Sequence, residues 1–139
     1  MDIKTLLKAL DDEDNSHLLN LTNEKIKTMK REILAELDLD ASKMNDYLNK
    51  LDNYRYIDGM NELKYGSFLR WIPIHDPDNI VLKPGGILCD LKVHDSGVVV
   101  ICKNFRNRHY QFKMDECLIF QKLNDQEHVL LSALDHLAK

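Results

Sequence analysis

Between Gly97 and Met114 the chain holds no acidic residue, yet it carries Lys103, Arg106, Arg108, His109 and Lys113 interleaved with Phe105, Tyr110 and Phe112. These residue types suit one chemistry. Guanidinium and ammonium groups meet phosphate oxygens, and aromatic faces stack on bases of any identity. Period-two alternation puts His109 and Lys113 on one face of a strand, with Tyr110 and Phe112 on the other. The same charges would engage an acidic protein surface. A solubilising hairpin tip above core aromatics would need no partner at all.

A second group lies in the run YGSFLRW, where Arg70 precedes Trp71, the single tryptophan. On an outer face, Trp71 and Arg70 are the types that dominate partner-binding hot spots. Pointing inward, Trp71 would be core or would cover the seam between a helical and a strand region, and the seam is the preferred placement. His75-Asp76-Pro77-Asp78 offers an imidazole and two carboxylates, the hard donors of divalent ions. Asp-Pro and Pro-Asp-Asn are also ordinary turn formers, and no second imidazole stands at ligand spacing, so a turn is expected there. The acidic run Asp11–Asp14 lacks the ordering glycine of a cation loop and is expected to be a linker.

Nucleophilic chemistry finds little support. Cys102 or Cys117 with His109 is a pair on paper, but both thiols sit in apolar strand-like runs, not in an electropositive, accessible niche. Gly85-Gly86 is not followed by the Lys-Ser/Thr of a phosphate loop, and no G-x-S-x-G elbow occurs. Three cysteines without a C-x-x-C pattern are expected to be reduced core residues of an intracellular protein. The expectation is therefore a non-enzymatic binding protein without cofactor or metal.

The elements that must position these residues follow from periodicity. Apolar residues at Ile3, Leu6, Leu7 and Leu10 predict a first helix over 3–10. A short helical turn is expected over Ser16–Leu21. Thr22 or Asn23 caps a helix to about Leu37 with the stripe Ile26, Met29, Ile33, Leu34 and Leu37, and Lys25, Lys27, Lys30 and Arg31 form a basic cluster on it. Asp40 or Ser42 caps a third helix, 41–51, whose buried face holds Met44, Tyr47, Leu48 and Leu51. Strands are expected over Phe68–Ile74, Ile80–Leu82, Ile87–Val93, Val98–Phe105, His109–Met114 and Cys117–Leu123, punctuated by Pro73, Pro77, Pro84, Gly85-Gly86 and Asp95-Ser96-Gly97. In the third of these, Ile87, Cys89, Leu91 and Val93 are expected to face one way. Asn124 caps a final helix with the stripe Val129, Leu130, Ala133, Leu134 and Leu137.

This order predicts an α+β chain: a helical region 1–61, a small antiparallel β-barrel over 62–123, SH3-like first and OB-like second, and a C-terminal helix over 124–139 packed on the barrel or the helices. The net charge of −4 comes from the first region, where 9 basic residues face 13 acidic ones over 1–61, against 10 and 10 over 62–139. A whole-protein grip on nucleic acid through bulk charge is excluded, and a local basic surface is not. No apolar run reaches the roughly 18 residues of a membrane span, and the N-terminus lacks a secretion signal's apolar region, so a non-secreted, non-membrane location is expected.

The segment from Lys25 to Ile57, helix, LDLDAS break, helix, then RYI, resembles the helix-turn-helix core of winged-helix domains. That resemblance implies DNA reading by Lys43, Asn45, Asn49 and Lys50, against which Asp46 and Asp52 on the same helix work electrostatically. The phrases LKYGSFLRWI, KPGGILCDL and CLIFQKL, in that order, resemble small accessory proteins of large nucleocytoplasmic DNA viruses, over about Tyr54 to the C-terminus. The resemblance implies a context, an infected cell or a virion, and no activity. The leading expectation is a polyanionic partner, nucleic acid first, held by Lys103, Arg106, Arg108, His109 and Lys113. The alternative is a protein–protein adaptor or virion assembly component using the helical face or Trp71 and Arg70.

Overall fold

The computed structural model describes residues 3–11 and 18–137. The sequence holds α1 (Ile3–Asp11), α2 (Asn23–Ala35), α3 (Ala41–Lys50), β1 (Tyr54–Ile57), β2 (Phe68–Pro73), β3 (Gly86–His94), β4 (Gly97–Lys103), β5 (His109–Lys113), β6 (Cys117–Lys122) and α4 (Asp125–Leu137). The acidic run after Asp11 and residues 16 and 17 of the expected short turn lie outside the described residues. Among those described, no helix is long and apolar enough to cross a membrane.

The helices start where side chains can satisfy their free N–H groups. Thr22 Oγ1 accepts from the Lys25 N–H, and Asp40 Oδ1 accepts from the Lys43 N–H at 2.7 Å. Asn124 and Glu127 form a reciprocal box: Asn124 Oδ1 accepts from the Glu127 N–H, and Glu127 Oε1 accepts from the Asn124 N–H. Asp135 on α4 accepts from both the backbone N–H and the side-chain amide of Asn23, which sets a carboxylate against the positive end of α2.

The strands form one antiparallel sheet in the order β1-β6-β2-β3-β4-β5. It does not close: β1 and β5 are its two edges, so in place of the expected closed or nearly closed small barrel the chain forms an open sheet. β1 lies within residues 1–61, so the helical region contributes an edge strand to the sheet. The sheet is nonetheless strongly curled. Trp71 of β2 and Phe112 of β5 stack with ring centroids 4.5 Å apart, although two strands separate them. In a flat sheet three strand spacings would hold them about 14 Å apart.

Three apolar clusters hold the layers together. On one face of β1, β6 and β2, Tyr54, Phe120, Leu118 and Ile72 pack with Leu34 of α2 and Tyr47 of α3. On the concave face, Ile57, Leu69, Trp71, Leu88, Val100, Cys102 and Ile119 form a second core. The third joins Ala9 of α1, Ile26 of α2 and Leu130 and Leu131 of α4, so the last helix packs on the helices. Its buried stripe is rotated from the expected one: Glu127, Leu130 and Leu131 are buried, while Leu137 is exposed. Lys30 is likewise buried rather than part of a solvated basic cluster. Its Nζ donates to the carbonyls of Leu51 (2.8 Å) and Asp52 (3.2 Å) at the end of α3. Burial lowers its pKa, the nearby Asp52 raises it, and Lys27 lowers it again.

Two strand expectations are corrected. Residues 80–82 belong to no ladder, because the Tyr47 hydroxyl takes its place: it donates to Ile80 O (2.9 Å) and accepts from the Leu82 N–H (3.2 Å). In β3 the register against β4 shifts between Leu88 and Asp90, a bulge at Cys89. The extra residue breaks the period of two, so Leu88 and Leu91 both join the concave core while Ile87 and Cys89 are exposed; Val93 keeps the register of Leu91 and is exposed near the end of the strand. Cys89 is thereby a surface thiol, not a core residue.

Gly85 fixes the entry to β3. Its φ is +101°, and a Cβ there would stand 2.3 Å from Leu69 O and 2.8 Å from the Phe68 ring. Gly85→Ala is expected to cost about 2–4 kcal/mol from a left-handed alanine and a backbone clash together, measured as a fall in the urea midpoint at unchanged m-value. A loss under about 0.5 kcal/mol would contradict this placement.

Candidate nucleic-acid interface

The turn between β4 and β5 is built by Asn104. Its Oδ1 accepts from the backbone N–H of Arg106 (2.9 Å) and of Arg108 (3.1 Å), and its own backbone N–H donates to Arg108 O. Its side-chain amide also reaches the Tyr110 hydroxyl at 3.4 Å. Asn107 takes a left-handed φ of +60°, a conformation that asparagine tolerates better than most residues. A short polar turn thus projects Phe105, Arg106 and Arg108 without any helix to support them. Phe105 is 91% exposed, an unusual position for a phenylalanine, and the Arg106 guanidinium lies 5.5 Å from its ring centroid.

Beneath this turn opens a cavity of about 860 Å³. Its walls come from three stretches far apart in sequence: Phe68, Trp71 and Pro73 on β2, Lys83–Gly85 and Ile87 at the start of β3, and residues 103–106, Arg108 and residues 110–112 on the β4–β5 hairpin. Phe68, Trp71, Phe105, Tyr110 and Phe112 supply aromatic surface, Lys83, Lys103, Arg106 and Arg108 supply charge, and no carboxylate lines it. Among the described residues none of these four cations is in an ion pair. The Arg70 guanidinium donates through Nε to Lys83 O at 2.9 Å and pins the Lys83–Gly86 turn against β2. The size falls within the ~300–1,000 Å³ of sites that enclose most of a small ligand.

The structure brings together three of the five expected cations, Lys103, Arg106 and Arg108. His109 and Lys113 are exposed, lie outside the cavity, and occupy the face of β5 opposite Tyr110 and Phe112. Trp71 and Arg70 do not form one patch, because adjacent strand residues face opposite sides. Trp71 is 6% exposed, buried in the concave core of the sheet and not at a seam with the helices, with part of its surface in the cavity wall. Lys83 and Phe68 join the site only through the fold. No local pattern marks them, and the one signal available in sequence is the Pro-Gly-Gly turn that brings Lys83 back beside Trp71, where its N–H donates to Trp71 O.

Other chemistries fare as follows. The His75–Asn79 loop is a turn in which Asp76 Oδ1 accepts from the Asp78 N–H at 3.1 Å and Asp76 O accepts from the Asn79 N–H. Among the described residues no three His, Cys, Asp or Glu side chains are grouped to hold a metal ion. Burial pushes the Cys102 thiol up to about 12, and burial with the Glu116 carboxylate beside it pushes Cys117 up to about 11, so both remain protonated thiols at neutral pH. On the outer face of α3 the Lys50–Asp46 ion pair, 3.0 Å, offsets a cation that duplex DNA would need.

No family model, no curated protein and no solved structure matches this chain.

Proposed function

We propose that this protein is a non-enzymatic binder of nucleic acid, gripping it at the β4–β5 hairpin. One observation carries the proposal: an aromatic-walled cavity rimmed by Lys83, Lys103, Arg106 and Arg108 that no carboxylate lines, in a chain whose net charge is −4. A chain with acidic bulk charge repels a polyanion except where its cations are segregated, and this is where they are. The curl of the sheet supports a platform of the small-barrel kind, SH3-like or OB-like, with its edge left open beside the hairpin. His109 and Lys113, on the outer face of β5, extend the positive surface for neighbouring phosphates.

The test is the salt dependence of binding. Affinity for a mixed-sequence oligonucleotide is expected to fall steeply between low and moderate salt. If Arg106 and Arg108 each neutralise one phosphate, Arg106→Ala with Arg108→Ala lowers the slope of log affinity against log salt by about 1.4 on a single strand. Absence of salt-sensitive binding by the wild type at low ionic strength would overturn the proposal.

A further inference from the structure

We infer that the occupant of the cavity is an unpaired base, so that the protein selects single-stranded over duplex nucleic acid. The inference rests on the binding function proposed above and adds the class of strand. Of the groups lining the cavity, Lys83, Arg106 and Arg108 are exposed, whereas Phe68 and Phe112 are half-buried and Trp71 is buried, so these charges lie outside those three rings. A phosphate on the rim therefore places its own base, not another phosphate, over the rings. Phe105 stands 91% exposed and Tyr110 45% exposed at the mouth, two faces available for stacking before any rearrangement. A base in a duplex is already stacked and paired, and only its backbone could reach Arg106 and Arg108. Filling a recessed aromatic site then requires unstacking and unpairing, which a single strand has already done.

The preference is informative because simple electrostatics predicts the reverse. A duplex carries the higher charge density and releases more counterions per contact. A purely basic patch would thus favour the duplex, whereas a stacking site favours the single strand. An acidic peptide supplies charge for the rim but no flat ring for the walls.

The experiment compares the full chain binding to oligothymidylate, to the same strand with abasic sugars, to a duplex of matched length, and to polyglutamate, all at one low salt concentration. Single-strand binding about tenfold tighter than the duplex or the abasic strand is the expected result. Phe105→Ala and Tyr110→Ala, both at exposed positions that leave the core untouched, are expected to weaken single-strand binding about tenfold while leaving duplex binding unchanged. Equal or tighter binding to the duplex or the abasic strand would overturn the inference and leave the nucleic-acid proposal standing. Tighter binding to polyglutamate would overturn both. Salt-insensitive or absent binding to every strand would overturn the proposed function itself, so the two failures are distinguishable.

Discussion

Glu62→Ala is expected to destabilise the protein by about 3 kcal/mol, because it leaves a buried guanidinium without its counter-charge. Arg55 lies on β1 with its side chain 2% exposed, and its Nη1 meets Glu62 Oε1 at 3.0 Å. Its Nε and Nη2 are buried without a hydrogen-bond partner among the described residues, so Glu62 is the group that compensates the charge. The other carboxylate oxygen accepts from the backbone N–H groups of Asp58 (3.0 Å) and Gly59 (2.9 Å), closing the turn that follows β1. Removing the side chain therefore loses a charge-assisted contact and two backbone caps together.

The same site gives the acid limb of stability its shape. Burial alone would raise the Glu62 pKa, but the Gly59 N–H, the Arg55 guanidinium and the Asp58 N–H outweigh it and hold the carboxyl below its ordinary value. The folded pKa is thus below the unfolded one. The contribution is complete above the unfolded pKa, about 4.3 for a glutamate, and is lost as pH falls through the depressed folded value. Denaturant titrations from pH 7 to pH 2 should show wild-type stability declining in that window. Glu62→Gln should flatten the decline, since its amide does not titrate, while being less stable than wild type at pH 7. An unchanged acid limb in Glu62→Gln, or a loss below about 1 kcal/mol in Glu62→Ala, would mean that the pair is not what compensates Arg55.

Local rules made most elements legible and long-range ones did not. Thr22, Asp40 and Asn124 are caps whose partners lie three residues away, so their helices begin where the sequence places them. The bulge at Cys89 depends on how β3 meets β4, a choice made across the hairpin; one extra residue turns Ile87 and Cys89 away from the face that Leu91 shares with Leu88. Residues 80–82 have strand composition, and only Tyr47, some 33 residues earlier, decides that a phenol and not a ladder satisfies them. Lys30 reads as one of a basic cluster on its helix because the carbonyls of Leu51 and Asp52 that receive it are set by tertiary packing. Whether a sheet of short antiparallel strands closes depends on whether its two edges meet, which alternation along any one strand cannot encode. The site divides along the same line. The cations of the hairpin, Lys103, Arg106 and Arg108, lie within six residues of one another and are legible as a cluster. The walls from Phe68, Trp71 and Lys83 follow from the curl, whereas the placing of His109 and Lys113 opposite Tyr110 and Phe112 is the alternation of β5 itself.

Trp71 lies inside that curl, and Trp71→Ala is expected to cost about 3–5 kcal/mol, the range for truncating a buried aromatic. Trp71 packs among Leu69, Leu88 and Val100 and stacks on Phe112 at an interplanar angle of 27°. Phe112 is only partly buried and sits on an edge strand, so Phe112→Ala should cost less. If the stacked pair is what draws β5 over β2, the two losses are not additive. A double-mutant cycle read by far-UV circular dichroism in urea should return a coupling of about 0.5–1.5 kcal/mol. The single tryptophan supplies a second readout. Its emission in Phe112→Ala should shift to the red, because the ring covering it is gone and the cavity wall admits water. The function follows from the same contact. Phe112→Ala keeps every rim cation and Phe105, yet it widens the cavity. Single-strand affinity should fall while the salt slope stays constant, separating the aromatic walls from the charged rim in one variant. A coupling near zero would mean that the curl is held elsewhere, in the β3–β4 pairing alone, and that Trp71 fills the core without shaping the site.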